Sequence, residues 1–165
     1  VLHHMDKPYD GLSALIQQLK RGGYINLGLY SEIARTVIVK AQGMIQRLEI
    51  NSTPESIRQF RQKVLNNEFT ELSYLQQIKD FYSTSSCRDL CFHVQEHRFT
   101  TELLQKLLDS HGLTFCGFMV TEQIKKIYQE QYPQNSDMTS LPNWGKLEEE
   151  YPSTFAGMYQ FWAYK

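Results

Sequence analysis

One stretch near the start limits what the chain can become. Leu12, Leu15, Ile16 and Leu19 recur at i, i+3, i+4 and i+7, which puts them on one face of an amphipathic helix. Gly22 and Gly23 end that helix, because glycine alone enters the left-handed cap without a Cβ penalty. Residues 24–30, Tyr-Ile-Asn-Leu-Gly-Leu-Tyr, then form a short β-prone run. Upstream, Pro8 and Gly11 mark a turn, and Val1-Leu2-His3 reads as the end of a buried strand. Strand stub, helix, diglycine and strand together predict one β-α-β unit with a parallel crossover. Val1 stands where a natural start would have methionine, so the chain is expected to be a piece of a longer or processed polypeptide.

Beyond residue 30 the pattern turns helical. Ile33, Val37, Ala41, Met44 and Leu48 step by three or four, with Ser31 as the cap and Glu32 in the first turn. Thr53-Pro54-Glu55 opens a second helix, with Pro54 at its first position and Ile57, Phe60 and Val64 on one face. Residues 69–78 fit one helix and 80–86 a loop, while 87–92 fit a turn, a helix or a strand. Thr100 or Thr101 caps a helix carrying Leu103, Leu104, Leu107 and Leu108. A second strand is expected at 113–119, an exposed helix at 121–131, a short helix at 142–150 and a last strand at 158–164, with a helix as the competitor for this last run. The expected organisation is strand-helix-strand over 1–30, an inserted helical cap region over 31–99, and a helix with the last strands over 100–165. An excursion of this size at a strand's C-terminal end often covers a site.

Composition narrows the partners. The 165 residues suffice for one domain with a substantial core. Lys and Arg total 17 against 18 Asp and Glu, a balance that argues against a nucleic-acid partner. No apolar run approaches the roughly 20 residues that span a bilayer, and no charged-then-apolar leader precedes the first helix, so a cytoplasmic protein without a membrane partner is expected. Cys87, Cys91 and Cys116 are too few for a disulfide framework and suit a reducing compartment.

Several blocks carry a resemblance. Val1-Leu2-His3-His4-Met5, Pro8, Gly11-Leu12, Leu15, Leu19-Lys20-Arg21-Gly22-Gly23 and Leu27-Gly28-Leu29-Tyr30 resemble the latter half of a class I S-adenosylmethionine-dependent methyltransferase. Arg21 stands where that family usually has proline, which removes a stiff turn residue but keeps both glycines. Downstream, Asp80-Phe81-Tyr82-Ser83, Cys87-Arg88-Asp89-Leu90, Phe92-His93, Glu96-His97-Arg98-Phe99 and the ending Pro152, Thr154-Phe155, Met158-Tyr159-Gln160-Phe161-Trp162 resemble a bacterial subgroup often attached to tetratricopeptide repeats. The resemblance implies an α/β fold, a partial Rossmann-like sheet made of the latter strands only, with an inserted helical region. It implies S-adenosylmethionine as cofactor, yet the family's glycine-rich loop and following acidic residue have no counterpart here. The isolated chain is therefore expected to be inactive, the substrate-side half of a methyltransferase with an unknown methyl acceptor. The alternative is a catalytically inactive module that binds a protein partner. The missing N-terminal half, or a second copy, is the expected partner.

The resemblance also sorts the candidate chemistry. His3 and His4 fall where the family's fourth strand delivers residues to the reaction site, as catalytic and cofactor-side groups. Methyl transfer needs an aligned nucleophile and, where that nucleophile carries a proton, an acceptor such as imidazole. Tyr30 is a candidate to line the substrate pocket. Tyr82, Arg88, Asp89, His93, Glu96 and His97 form a polar run interleaved with Phe81, Leu90, Phe92 and Phe99. It reads either as a substrate pocket, with Arg88 gripping an anionic group and a histidine (His93 or His97) or a carboxylate acting as base, or as a structural salt-bridge and hydrogen-bond network. Cys87, Cys91, His93 and His97 also invite a zinc reading. Helical geometry argues against it, since residue 93 lies about 200° around from 91 and the four ligands would not converge.

Overall fold

The computed structural model describes residues 2–93, 95–155 and 157–165. They fall into two units, one formed by 1–34 with 95–165 and the other by 35–94.

The first unit holds the sheet. Helix α1 (Pro8–Gln18) takes Pro8 at its first position and buries Leu12 and Ile16. Strand β1 (Tyr24–Ser31) follows, and Leu27, Leu29 and Ser31 point inward on the period of two that a half-buried strand requires. After the helical unit come β2 (Arg98–Phe99), α5 (Thr101–Ser110), β3 (Thr114–Phe118), α6 (Glu122–Gln131), α7 (Leu141–Glu150) and β4 (Met158–Tyr164). The strand order is β2-β1-β4-β3, with β1 parallel to β2 and antiparallel to β4, which is antiparallel to β3. Thr100, Thr121 and Ser140 cap α5, α6 and α7, each accepting a backbone N–H three residues on.

The core of this unit is aromatic. Tyr159, Phe161 and Ala163 face inward from β4, while Gln160, Trp162 and Tyr164 face out. Phe115 and Phe118 are three apart, so a regular strand would send them to opposite faces. A bulge between Phe115 and Gly117 brings both inward, and Gly117 accepts the φ of 134° that the kink demands. Phe118 then meets Phe115, Trp144, Phe155, Tyr159 and Phe161 at centroid distances of 4.5 to 6.0 Å. Trp144 satisfies its indole N–H on the Met138 carbonyl at 2.8 Å.

The second unit is helical: α2 (Thr36–Arg47), α3 (Pro54–Leu65), 3-10 segments Thr70–Gln77 and Lys79–Tyr82, and α4 (Thr84–Cys91). Its own core gathers Ile38, Ala41, Ile57, Phe60, Val64, Leu72, Leu75, Phe81 and Cys87. Thr53 and Ser83 cap α3 and α4.

Four expectations change. Leu2–His4 is a 3-10 turn and not a strand end, so β1's parallel neighbour is β2; Val1 lies outside the described residues. Ser31 does not cap α2, which starts at Thr36; it closes β1 with its side chain turned into the core. Residues 70–77 wind as 3-10 rather than α. The expected loop at 80–86 is a 3-10 turn followed by the first residues of α4, because Ser83 supplies a cap that lets the helix start at Thr84. Among the described residues, no helix is long and apolar enough to cross a membrane.

Candidate functional site

At the C-terminal end of β1 three rings meet. The His3 imidazole lies 3.9 Å, centroid to centroid, from the Tyr30 ring. His4 stands edge-on to both, at 4.5 Å from His3 and 5.6 Å from Tyr30. The 3-10 turn makes this possible by delivering consecutive side chains to one place, which an extended strand would have sent to opposite faces.

Hydrogen bonds fix the tautomers. His3 Nδ1 is 3.3 Å from the Gly28 carbonyl oxygen, and His4 Nδ1 is 3.1 Å from that of Gln95. A carbonyl only accepts, so Nδ1 carries the proton in each ring and Nε2 is the basic atom. Burial lowers the His3 pKa to about 4, joined by the positive charge of the amino terminus and then by the neighbouring His4, against the pull of the Gly28 carbonyl and of Glu96. His3 is thus a neutral imidazole at pH 7.

The run leading into β2 closes the site from the side. His97 N donates to the His3 carbonyl at 2.8 Å, and Glu32 N donates to that of Phe99 at 2.9 Å. The Glu96 side chain is only 2% exposed and sits 3.7 Å from the Arg98 guanidinium. His97 Nε2 is buried with no hydrogen-bond partner among the described residues. His3, His4, Tyr30, Glu96 and His97 therefore all belong to the sheet unit, around the C-terminal end of β1 and the run into β2.

The other candidates belong to the helical unit. Tyr82 is exposed and donates to the Gln76 carbonyl, Arg88 and Asp89 are on the exposed side of α4, and His93 follows that helix. The polar run from Tyr82 to His97 is thus shared between two units, which its continuous sequence does not reveal. Cys87 and Cys91 are both buried one turn apart on α4, and the Cys91 thiol, with the Arg61 charge, pulls the Cys87 pKa down against burial. Among the described residues no group of three or more His, Cys, Asp or Glu is placed to hold a metal.

One cluster escapes the sequence reading. Glu148 of α7 is 1% exposed and accepts from Ser31 Oγ with one carboxylate oxygen and from the Tyr159 hydroxyl, at 2.5 Å, with the other. Ser31 Oγ in turn accepts from Ala34 N at 3.1 Å. Burial raises the Glu148 pKa against these two hydrogen bonds, and burial together with the Glu148 charge raises that of Tyr159. The network ties the residue after Tyr30 to α7 and β4. Within α7 the run Leu147-Glu148-Glu149-Glu150 holds the only sequence signal, a glutamate on the face that also carries Trp144.

No family model matches the chain. An uncharacterised protein of Synechococcus is 33% identical over 129 residues, which is 72% of this chain and 30% of that protein. Among solved structures, PKMT2, a methyltransferase from Rickettsia typhi, superposes with a TM-score of 0.70 and 9% identity over 99% of this chain and 33% of its own. The chain has a methyltransferase fold. It spans about a third of the length of the proteins it matches.

That fold binds its cofactor's nucleoside through a glycine-rich turn after a strand and an acid at the end of the next. Among the described residues the strand-to-helix passages do not fit that part, and the one from β2 to α5 is the single residue Thr100. β1 runs on into Glu32-Ile33-Ala34-Arg35 and β3 into Met119-Val120-Thr121, both without glycine.

Proposed function

We propose that this chain is the acceptor-side part of an S-adenosylmethionine-dependent methyltransferase, with the grip on the nucleoside supplied by residues outside it. The likeness to PKMT2 supports the reaction class, and that protein's name, which denotes a protein-lysine methyltransferase, supports a lysine amine as the acceptor. The observation that carries the reading is the ring cluster of His3, His4 and Tyr30 at the carboxyl end of β1, where open α/β sheets place their ligands.

The chemistry of the rim suits the task. Neutral rings beside a cationic centre attract it through their π faces, whereas a charged histidine would repel it. His3, held neutral, meets that requirement. A lysine amine must shed a proton before it can attack, and an imidazole whose Nε2 is the basic atom can take it. His4 spends its Nδ1–H on the Gln95 carbonyl and has Nε2 as its basic atom, whereas His3, with its pKa lowered to about 4, is too weak a base for that step and serves as a neutral ring. The Ser31–Glu148–Tyr159 network holds the end of β1 in place, so the rings do not have to be ordered when an acceptor arrives.

The test is transfer of a labelled methyl group from S-adenosylmethionine to protein lysines by the longer native polypeptide. Wild-type transfer with a large loss in His3→Ala and His4→Ala variants supports the reading; full activity in both variants removes the rim from the reaction.

A further inference from the structure

A cavity of about 400 Å³ opens in the sheet unit, at the other end of β1 from the ring cluster. Tyr24, on its wall, stands ~20 Å along the strand from Tyr30. The bulge of β3 makes the space. Gly117 pairs with Trp162 of β4 and carries no side chain, and a Cβ built there would meet no heavy atom within 4 Å. Phe118 and Trp144, both part of the aromatic core, give the cavity an apolar floor.

Tyr24 and Trp162 line it from the outward face of the sheet, where they are 64% and 44% exposed. The Tyr164 ring lies 5.8 Å from that of Tyr24, so the exposure is a patch and not a scattered residue. Contiguous exposed apolar surface marks a place where something binds.

Two opposite charges complete the lining, Lys125 of α6 and Asp137 of the loop before α7. Lys125 Nζ donates to Glu122 at 2.7 Å, and an ammonium has three N–H groups to give. The Asp137 carboxylate accepts from Asn135 Nδ2 at 2.6 Å and from Thr139 Oγ1 at 2.9 Å, with lone pairs remaining. The loop that presents it is fixed in advance. Asn135 Oδ1 accepts from the Tyr128 hydroxyl at 2.6 Å and from Ser140 N at 3.1 Å, and the Met138 carbonyl accepts from Trp144 Nε1 at 2.8 Å. Met138 has a φ of 57°, a left-handed conformation that a non-glycine residue keeps only where its surroundings over-determine it. A set loop lowers the ordering cost of binding.

We propose that this cavity binds a free amino acid with an apolar side chain. Its carboxylate meets Lys125, its ammonium meets Asp137, and its side chain enters among Phe118, Trp144 and Trp162. Cavities of roughly 300–1,000 Å³ with apolar walls and a few placed polar groups are the usual form of a small-molecule site. The lining complements an apolar body that carries one charge of each sign. A purely apolar ligand would desolvate Lys125 and Asp137 without pairing either, and a simple anion or cation would pair only one. The inference does not depend on the methyltransferase reading, since none of the lining residues belongs to the ring cluster.

Proton–nitrogen NMR of the 165-residue chain tests this, with the Trp144 and Trp162 indole N–H signals followed during titration with L-phenylalanine. The Trp162 signal is expected to shift saturably, with a Kd below about 1 mM. Phenethylamine, which lacks the carboxylate, and 3-phenylpropionate, which lacks the ammonium, are expected to bind at least ~10-fold more weakly. Lys125→Gln and Asp137→Asn are each expected to weaken L-phenylalanine by a similar factor. No saturable shift up to ~10 mM overturns the proposal. Equal binding of the three compounds, or full affinity in both variants, makes the cavity an unselective apolar slot and also overturns it. Tighter binding of trimethyllysine than of L-phenylalanine assigns the rings to a cation cage and overturns it as well. The comparison of compounds uses the unchanged chain, so it decides even where a substitution disturbs the loop.

Discussion

The His3 imidazole packs on the Tyr30 ring with centroids 3.9 Å apart while its Nδ1–H reaches the Gly28 carbonyl. His3 thereby fastens the Leu2–His4 turn to the end of β1 through one aromatic contact and one hydrogen bond, beside the edge-on contact of His4 with Tyr30. His3→Ala removes both and leaves a space beside Tyr30. It is expected to lower the unfolding free energy of the chain by about 1–3 kcal/mol, read from urea denaturation. An unchanged denaturation midpoint would show that the ring pair holds nothing.

The His3 pKa gives a pH dependence with a definite sign. Folding lowers it from 6.5 to about 4, so between those values the unfolded chain binds more protons than the folded one. This group's contribution to stability is complete above about pH 6.5 and is lost as pH falls toward 4. His3→Gln flattens that limb of a stability-versus-pH curve measured by thermal melts, and NMR titration of the His3 ring in the wild-type chain shows no transition near 6.5.

Glu148 acts in the opposite direction. Its folded pKa is raised, so the folded chain holds this proton longer than the unfolded one. Stability from this group is greatest below the unfolded carboxyl value and declines as pH rises through the folded one. Glu148→Gln removes that decline. Ser31→Ala costs about 1–2 kcal/mol at neutral pH, because it strips a donor from a buried carboxylate, and it costs far less in the Glu148→Gln background. Equal costs in the two backgrounds, measured by a double-mutant cycle, would mean that the pair is not coupled.

Helices α5 and α7 meet at a glycine. A Cβ added at Gly145 would stand 2.4 Å from Thr101 Oγ1, and Thr101 is itself buried. Gly145→Ala is expected to destabilise the chain by about 1–3 kcal/mol through overpacking, and Thr101→Ala in the same chain recovers part of the loss. Additive destabilisation by the two changes would place the strain elsewhere.

The sequence made the regular elements legible where local signals agree. Leu12, Leu15, Ile16 and Leu19, followed by the diglycine, mark α1 and the entry to β1, and Thr53-Pro54 and Thr100 mark the starts of α3 and α5. The alternation in 158–164 was ambiguous by itself; pairing with β1 and β3 makes it a strand. Leu2–His4 escaped because three apolar and aromatic residues have no period, and the hydrogen bonds that bend them into a turn run to Gly28, Gln95 and His97, far along the chain. Glu148 escaped for a related reason. In a run of three glutamates nothing local distinguishes the one that Ser31 and Tyr159 draw into the core. The division of the 82–97 run between two units is equally a matter of long-range packing, which decides where α4 ends its own core and where Gln95 joins the sheet.

The central claim is that this chain carries the acceptor rim of a methyltransferase and not the grip on its cofactor. Isothermal titration of the monomeric 165-residue chain with S-adenosylmethionine, beside the longer native polypeptide, tests it most directly. The expected result is no saturable heat for the chain and saturable binding for the longer polypeptide. Micromolar binding by the chain alone would contradict it.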